Sequence, residues 1–259
     1  MKKKKMSTKT RLYTSFLLVL LALVALTAAT VAWFSIADNT KVNTMNLEIV
    51  AGTDLRMDLD PHQKFEQYVK TLSFESIAAR IKRDKGFSMR EVPLEPVTTS
   101  NYKVFTYENG QTVSVKSGAY LEFTLHFIAE KDMIVHLTSA NSSERAGDGT
   151  LVSSKNPNLP KAMRIAFSAD GKTWIYNPGM GDTSKTSGKA QTFGLPISSK
   201  MTLTKKNAMF SLVEGQNKPI LVHIWMEGTD PACTDQLKAA DYSIRLRFTG
   251  ETIEKNKKN

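Results

Sequence analysis

Between Tyr120 and Ile128 the side chains Leu121, Phe123, Leu125 and Phe127 alternate with polar residues. A period of two places all four on one face of an extended chain and predicts a half-buried β-strand. The pattern recurs at Val42–Val50, Leu55–Leu59 and Tyr242–Phe248, where Arg245 and Arg247 fall on the outward positions, and the apolar runs Met133–Leu137 and Ile220–Met226 read as further strands. Met163 to Tyr176 reads as two strands folded about Asp170-Gly171, a dipeptide suited to a tight hairpin turn. A chain with this many alternating segments is expected to be mainly β. Val42–Val50 and Leu55–Leu59, joined by a short Gly-Thr-Asp connection, are expected to form a hairpin with each other.

One segment breaks the alternation. Asp60, Pro61 and Gln63 carry helix-start chemistry, and Phe65, Tyr68, Val69 and Leu72 follow at helical spacing. Phe74, Ile77, Ala78 and Ile81 share a second helical face, so a helical insertion is expected over about 61–82. Two polar tracts, Asn141–Lys161 and Pro178–Lys189, have too few apolar residues to sustain a core and are expected to be long surface loops. Asn141-Ser-Ser143 matches a glycosylation sequon.

The amino terminus has a different logic. Lys2 to Lys5, Lys9 and Arg11 precede an uncharged stretch, residues 12–37, whose apolar heart runs from Phe16 to Leu26. Basic residues on one flank and none of either sign until Asp38 predict an N-terminal hydrophobic helix that meets a membrane with its amino end inside. Residues 1–32 are therefore expected to be a signal peptide or membrane anchor, engaging the export machinery and a signal peptidase. Thr30 and Ala32 satisfy the small-residue rule for cleavage, as do Thr27 and Ala29. The remainder is expected outside the cytoplasm, secreted or at the cell surface.

The net charge of +10 belongs largely to that leader, which holds six basic side chains and no acidic ones. Residues 33–250 carry 26 basic and 23 acidic groups, and 251–259 form a short polar, basic tail. A nearly neutral body gives no electrostatic footing for nucleic acid. About 220 residues suffice for one β domain with insertions. The single cysteine, Cys233, rules out an intramolecular disulfide. It reads as a small half-buried side chain near a turn, the alternative being a reactive or dimer-forming thiol.

Catalytic patterns are missing: there is no Gly-x-Ser-x-Gly, His-Glu-x-x-His, P-loop or dinucleotide fingerprint. His62, His126, His136 and His223 are scattered. A site shared by His126 and His136 requires their strands to be neighbours. Glu227, Asp230 and Asp235 crowd a glycine and proline turn; they are candidate calcium ligands, or, in the plainer reading, groups that cap the turn. Trp174, Tyr176 and Trp225 are a candidate stacking platform for sugars if they face solvent, although large aromatics at alternate strand positions are also what a core uses. No enzyme activity and no cofactor are expected.

Three stretches carry a resemblance: Thr27–Ser35 running into Asn43–Ile49, Leu94–Thr99, and Ile224–Cys233. They resemble the TasA/camelysin-like exported proteins of Gram-positive bacteria, whose precursors are cut by a dedicated signal peptidase. The resemblance implies a jelly-roll-like antiparallel β-sandwich and a structural role in the extracellular matrix, biofilm or cell surface, with self or other matrix proteins as partners and subunits joined by donated strands. The candidate donated strand is centred on Met45, Leu47 and Ile49. Camelysin was described as a metalloprotease; no zinc-binding motif is present here, and that activity is not carried over. The expected alternative is an extracellular carbohydrate-binding module.

Overall fold

A computed structural model describes residues 15–23, 46–52, 54–139, 149–196, 201–237 and 240–254. The chain divides into two units, Met1–Lys41 and Val42–Asn259. In the first, residues 15–23 form a helix, α1, whose apolar side chains are exposed. Among the described residues no helix is long and apolar enough to cross a membrane. Thr30 and Ala32 lie outside the described residues, as do Asn141 and Met45.

The second unit is mainly β and consists of two sheets facing each other across a shared core. One sheet contains β1 (Asn46–Ala51), β3 (Thr71–Leu72), β6 (Met133–Leu137), β7 (Leu151–Ser153), β12 (Ala208–Leu212) and β14 (Ser243–Thr252). Its order is β12-β6-β14-β1-β3, with β7 also on β14. The other contains β2 (Leu55–Asp58), β4 (Pro96–Val97), β5 (Leu121–Ala129), β8 (Met163–Ala169), β9 (Lys172–Tyr176), β10 (Ser184–Ser187), β11 (Ala190–Phe193) and β13 (Lys218–Glu227). Its order is β10-β11-β9-β8-β13-β5-β2, with β4 beside β13. Most pairs are antiparallel. β1 with β14, β11 with β9 and β4 with β13 are parallel, so the expected all-antiparallel arrangement is corrected to a mixed one.

The alternating residues meet where the sheets face. Phe248 of β14 packs edge-on against Phe127 of β5 at 5.0 Å and Phe167 of β8 at 5.4 Å, with all three rings fully buried. Leu125, Ile165, Val222, Ile224, Ile244 and Leu246 fill the same layer. Burying such side chains is the main favourable term for a chain without disulfides. A smaller apolar layer lies on the opposite face of the β5–β13–β8–β9 sheet, where residues 97–120 fold back as a cover. There Phe105 stacks on Tyr120 at 4.1 Å and meets Trp225 edge-on at 5.5 Å.

The β8–β9 hairpin turns at Asp170 and Gly171, both with positive φ (50° and 72°), the geometry a two-residue hairpin loop of right-handed twist demands. The expected β1–β2 hairpin does not form. β1 joins β14 from the far end of the chain, β2 joins β5, and the chain between them passes from one sheet to the other. Alternation reveals which face is buried, not which strand lies alongside.

The helical insertion is also redistributed. After Asp60 only a single 3-10 turn forms, Phe65–Gln67, with the Gln67 side chain accepting from the Lys64 N–H at 2.9 Å. Helix formation then loses to pairing: Met57 and Val69 exchange both backbone hydrogen bonds at 2.9 Å, and Leu72 pairs with Ile49. The true helix is α2, Phe74–Lys85, capped by Ser73, whose hydroxyl accepts from the Ser76 N–H, and ended by Gly86 at φ 86°. Phe74, Ile77 and Ile81 turn inward. A short helix, α3 (Leu159–Ala162), lies with β7 in the first polar tract. The second tract is not a loop throughout, because β10 runs through it. All four β10 residues are exposed, so it buries nothing and leaves no apolar alternation to read.

Candidate functional site

Among the described residues β1 is the first strand of its unit, and it sits one place in from a sheet edge. On one flank it forms a six-residue parallel ladder with β14, in which Leu47 and Ile49 hold the register positions of the buried Ile244 and Leu246. On the other flank β3 contributes two pairs, Ile49 with Leu72 and Val50 with Thr71, extended by the Ala51 N–H to the Lys70 carbonyl at 2.9 Å. β14 is held on its far side by β7 and β6. Loss of β1 would leave the backbone of Ser243–Phe248 without its ladder partner on that side, a row of groups that needs an extended segment to satisfy it.

The candidate sugar platform is not assembled. Trp174 and Tyr176 point between the sheets, whereas Trp225 points into the covered outer layer, so the three rings occupy opposite faces of one sheet. Each is buried, Trp225 to 2% exposure, and burial raises the Tyr176 hydroxyl pKa well above its ordinary value. The large rings serve the core, which corrects the solvent-facing platform.

The carboxylates of the Glu227 turn are spent on the protein itself. Glu227 accepts from the Trp225 indole N–H at 3.0 Å and from the Thr229 hydroxyl at 2.7 Å. Asp230 accepts from the Ala232 N–H at 2.8 Å and pairs with Arg164, which also donates to the Lys161 and Met163 carbonyls at 2.6 and 2.8 Å. Asp235 opens a short 3-10 turn, Asp235–Leu237. No group of three metal-binding side chains occurs among the described residues, and the geometry is that of a capped, clamped turn rather than a calcium loop. Cys233 sits in the same turn; burial first, then the nearby Asp230 charge, push its thiol pKa upward, away from the reactive thiolate.

The histidines resolve separately. His126 on β5 lies 3.2 Å from the Asn217 side chain, and His136 on β6 lies between Asn207 (3.3 Å) and Glu251 (3.0 Å). The two belong to different sheets, so the shared site does not form. What sequence reasoning missed is a third arrangement. His223 and Glu122 occupy directly paired positions on β13 and β5, with Nε2 2.9 Å from the carboxylate, while Lys85 at the end of α2 donates to the other oxygen at 2.6 Å. His223 is fully buried beneath Phe105 and Tyr120, and its Nδ1 has no hydrogen-bond partner. The His223 hydrogen bond, aided by Lys85 and opposed by burial, lowers the Glu122 pKa to about 2. Glu122 is legible as a polar position in an alternating strand and His223 as the one polar residue of an apolar run, but the register that joins them is not.

An apolar cleft between Leu159, Met226, Leu237 and Tyr242 has a volume of about 10 Å³, room for no more than a water-sized molecule. The three candidate rings are buried in the two apolar layers, and Glu227 and Asp230 are engaged within their own turn. No family model matches this chain, and neither the curated proteins nor the solved structures contain a match to it.

Proposed function

We propose that this chain is an exported structural protein of the cell surface or extracellular matrix that acts by self-association, with β1 exchanged between copies and the sheets arranged in the jelly-roll manner. The observation that carries the reading is the seat of β1. Among the described residues, the first strand of this unit is bound by a parallel ladder to a strand almost 200 residues later, with only β3 outside it. A strand seated in a backbone ladder can be supplied by another copy in the same register, since the ladder is identical in both cases. The uncharged stretch with its basic flank supports export, with residues 1–32 removed or kept as an anchor, and residues 33–45 then lead into the exchanged strand.

The test uses the full chain with Cys233→Ser and a cysteine placed at one of two paired positions, Asn46 or Ser243. Asn46→Cys and Ser243→Cys chains are mixed at high concentration, and oxidation is expected to join them into disulfide-linked heterodimers. The same two cysteines in one dilute chain provide the internal control for register. If the control closes, yet mixed chains stay monomeric by light scattering and form no heterodimer, strand exchange is wrong. Mass spectrometry of the mature amino terminus from cells and medium tests the export half.

A further inference from the structure

We infer that the β9–β10–β11 edge of the second sheet is a docking surface for a flexible polyanion, a linear chain of repeated phosphate groups. Residues 165–212 carry six lysines and two acidic residues, Asp170 and Asp182, although the body as a whole is nearly neutral. Both carboxylates are already engaged. Asp170 pairs with Lys218 at 2.5 Å, and Asp182 with Lys206 at 3.5 Å. Lys172, Lys185, Lys189 and Lys205 are exposed, and among the described residues none has a carboxylate within ion-pair distance.

The fold gathers these charges. Thr173 and Ala190 are register partners in parallel strands, so Lys172 and Lys189 stand one step before them on neighbouring chains, where like charges repel. Lys185 lies two strands out from β9, on the open edge β10, where its register partner Thr192 sets it on the sheet face opposite to Lys172 and Lys189, so the lysines flank this edge from both sides. The Gln191 side chain donates to the Lys205 carbonyl at 3.4 Å and the Lys206 carbonyl at 2.9 Å, drawing that loop onto β11. Backbone pairing and the Gln191 bonds thus hold the segments that carry these lysines along one sheet edge, a geometry that a flexible chain of charges can wrap and a compact ligand cannot span.

The chemistry selects the partner. The four free groups are lysines rather than arginines, and Trp174, Tyr176 and Phe193 of these strands are buried. Mobile ammonium groups without a bidentate fork or a stacking ring suit a run of point charges better than a single phosphate or a base-bearing strand. The inference does not depend on strand exchange.

Full-length protein is titrated with short-chain inorganic polyphosphate, with orthophosphate and anionic phospholipid vesicles as parallel probes. Polyphosphate is expected to bind with a log–log salt slope of roughly −3, about 0.7 per lysine contact, and orthophosphate far more weakly. Changing Lys172, Lys185, Lys189 and Lys205 together to Gln is expected to weaken binding about tenfold or more. A charge-matched set, Lys64, Lys70, Lys103 and Lys116 to Gln, is expected to retain it. Equal loss in both sets, no loss in the first, or binding of vesicles or orthophosphate in preference to polyphosphate would overturn the assignment.

Discussion

Glu122 and His223 face each other across β5 and β13 with 2.9 Å between carboxylate and ring nitrogen, and the pair is roofed by the aromatic cover of residues 97–120. It is a polar tie beneath an apolar layer, linked through Lys85 to the end of α2. Its strength depends on the carboxylate being charged.

That dependence has a sign. The Glu122 carboxyl has an ordinary value of 4.5 and a folded value of about 2, so the folded state holds fewer protons between these limits. The stabilisation is fully present above about pH 5 and is lost as pH falls through about 2, amounting to on the order of 2–3 kcal/mol. Glu122→Gln is expected to flatten the fall in stability between pH 5 and 2. Urea midpoints measured across that range check it; parallel curves for the two proteins would show that the pair contributes nothing.

Phe248 joins the two sheets through Phe127 and Phe167. Phe248→Ala is expected to destabilise the fold by about 3–5 kcal/mol through lost burial and an unfilled cavity. Chemical denaturation provides the measurement, and a loss below about 1 kcal/mol would mean that the sheets do not depend on this contact.

The Arg164–Asp230 pair is largely buried, with side-chain exposures of 12% and 18%. Asp230→Ala leaves the guanidinium without its carboxylate and is expected to cost about 2 kcal/mol, somewhat less than a fully buried pair. Calcium is expected to leave the thermal midpoint of the parent protein unchanged. A calcium-dependent rise that disappears in the variant would return these carboxylates to metal binding.

Trp174 and Trp225 lie on opposite faces of one sheet, both beneath other side chains. In a Trp33→Phe background their emission is expected to be blue-shifted and weakly quenched by acrylamide, with no change on adding soluble glycans. Strong quenching, or a glycan-induced spectral shift, would expose the rings after all.

Leu121, Phe123, Leu125 and Phe127 announced their strand and its buried face because a two-residue period follows from the backbone itself. Asp170-Gly171 announced its hairpin because only a few residue types tolerate positive φ at both positions. Where capping chemistry was duplicated, at Asp60 and Ser73, local signals could not rank the two helix starts; the Met57–Val69 pairing decided against the first. The parallel seat of β1 on β14, the meeting of Glu122 with His223, the burial of all three candidate sugar-binding rings and the gathering of the free lysines are settled only in three dimensions. Each rests on strand register and sheet order between residues distant along the chain, and alternation carries no label naming the neighbour.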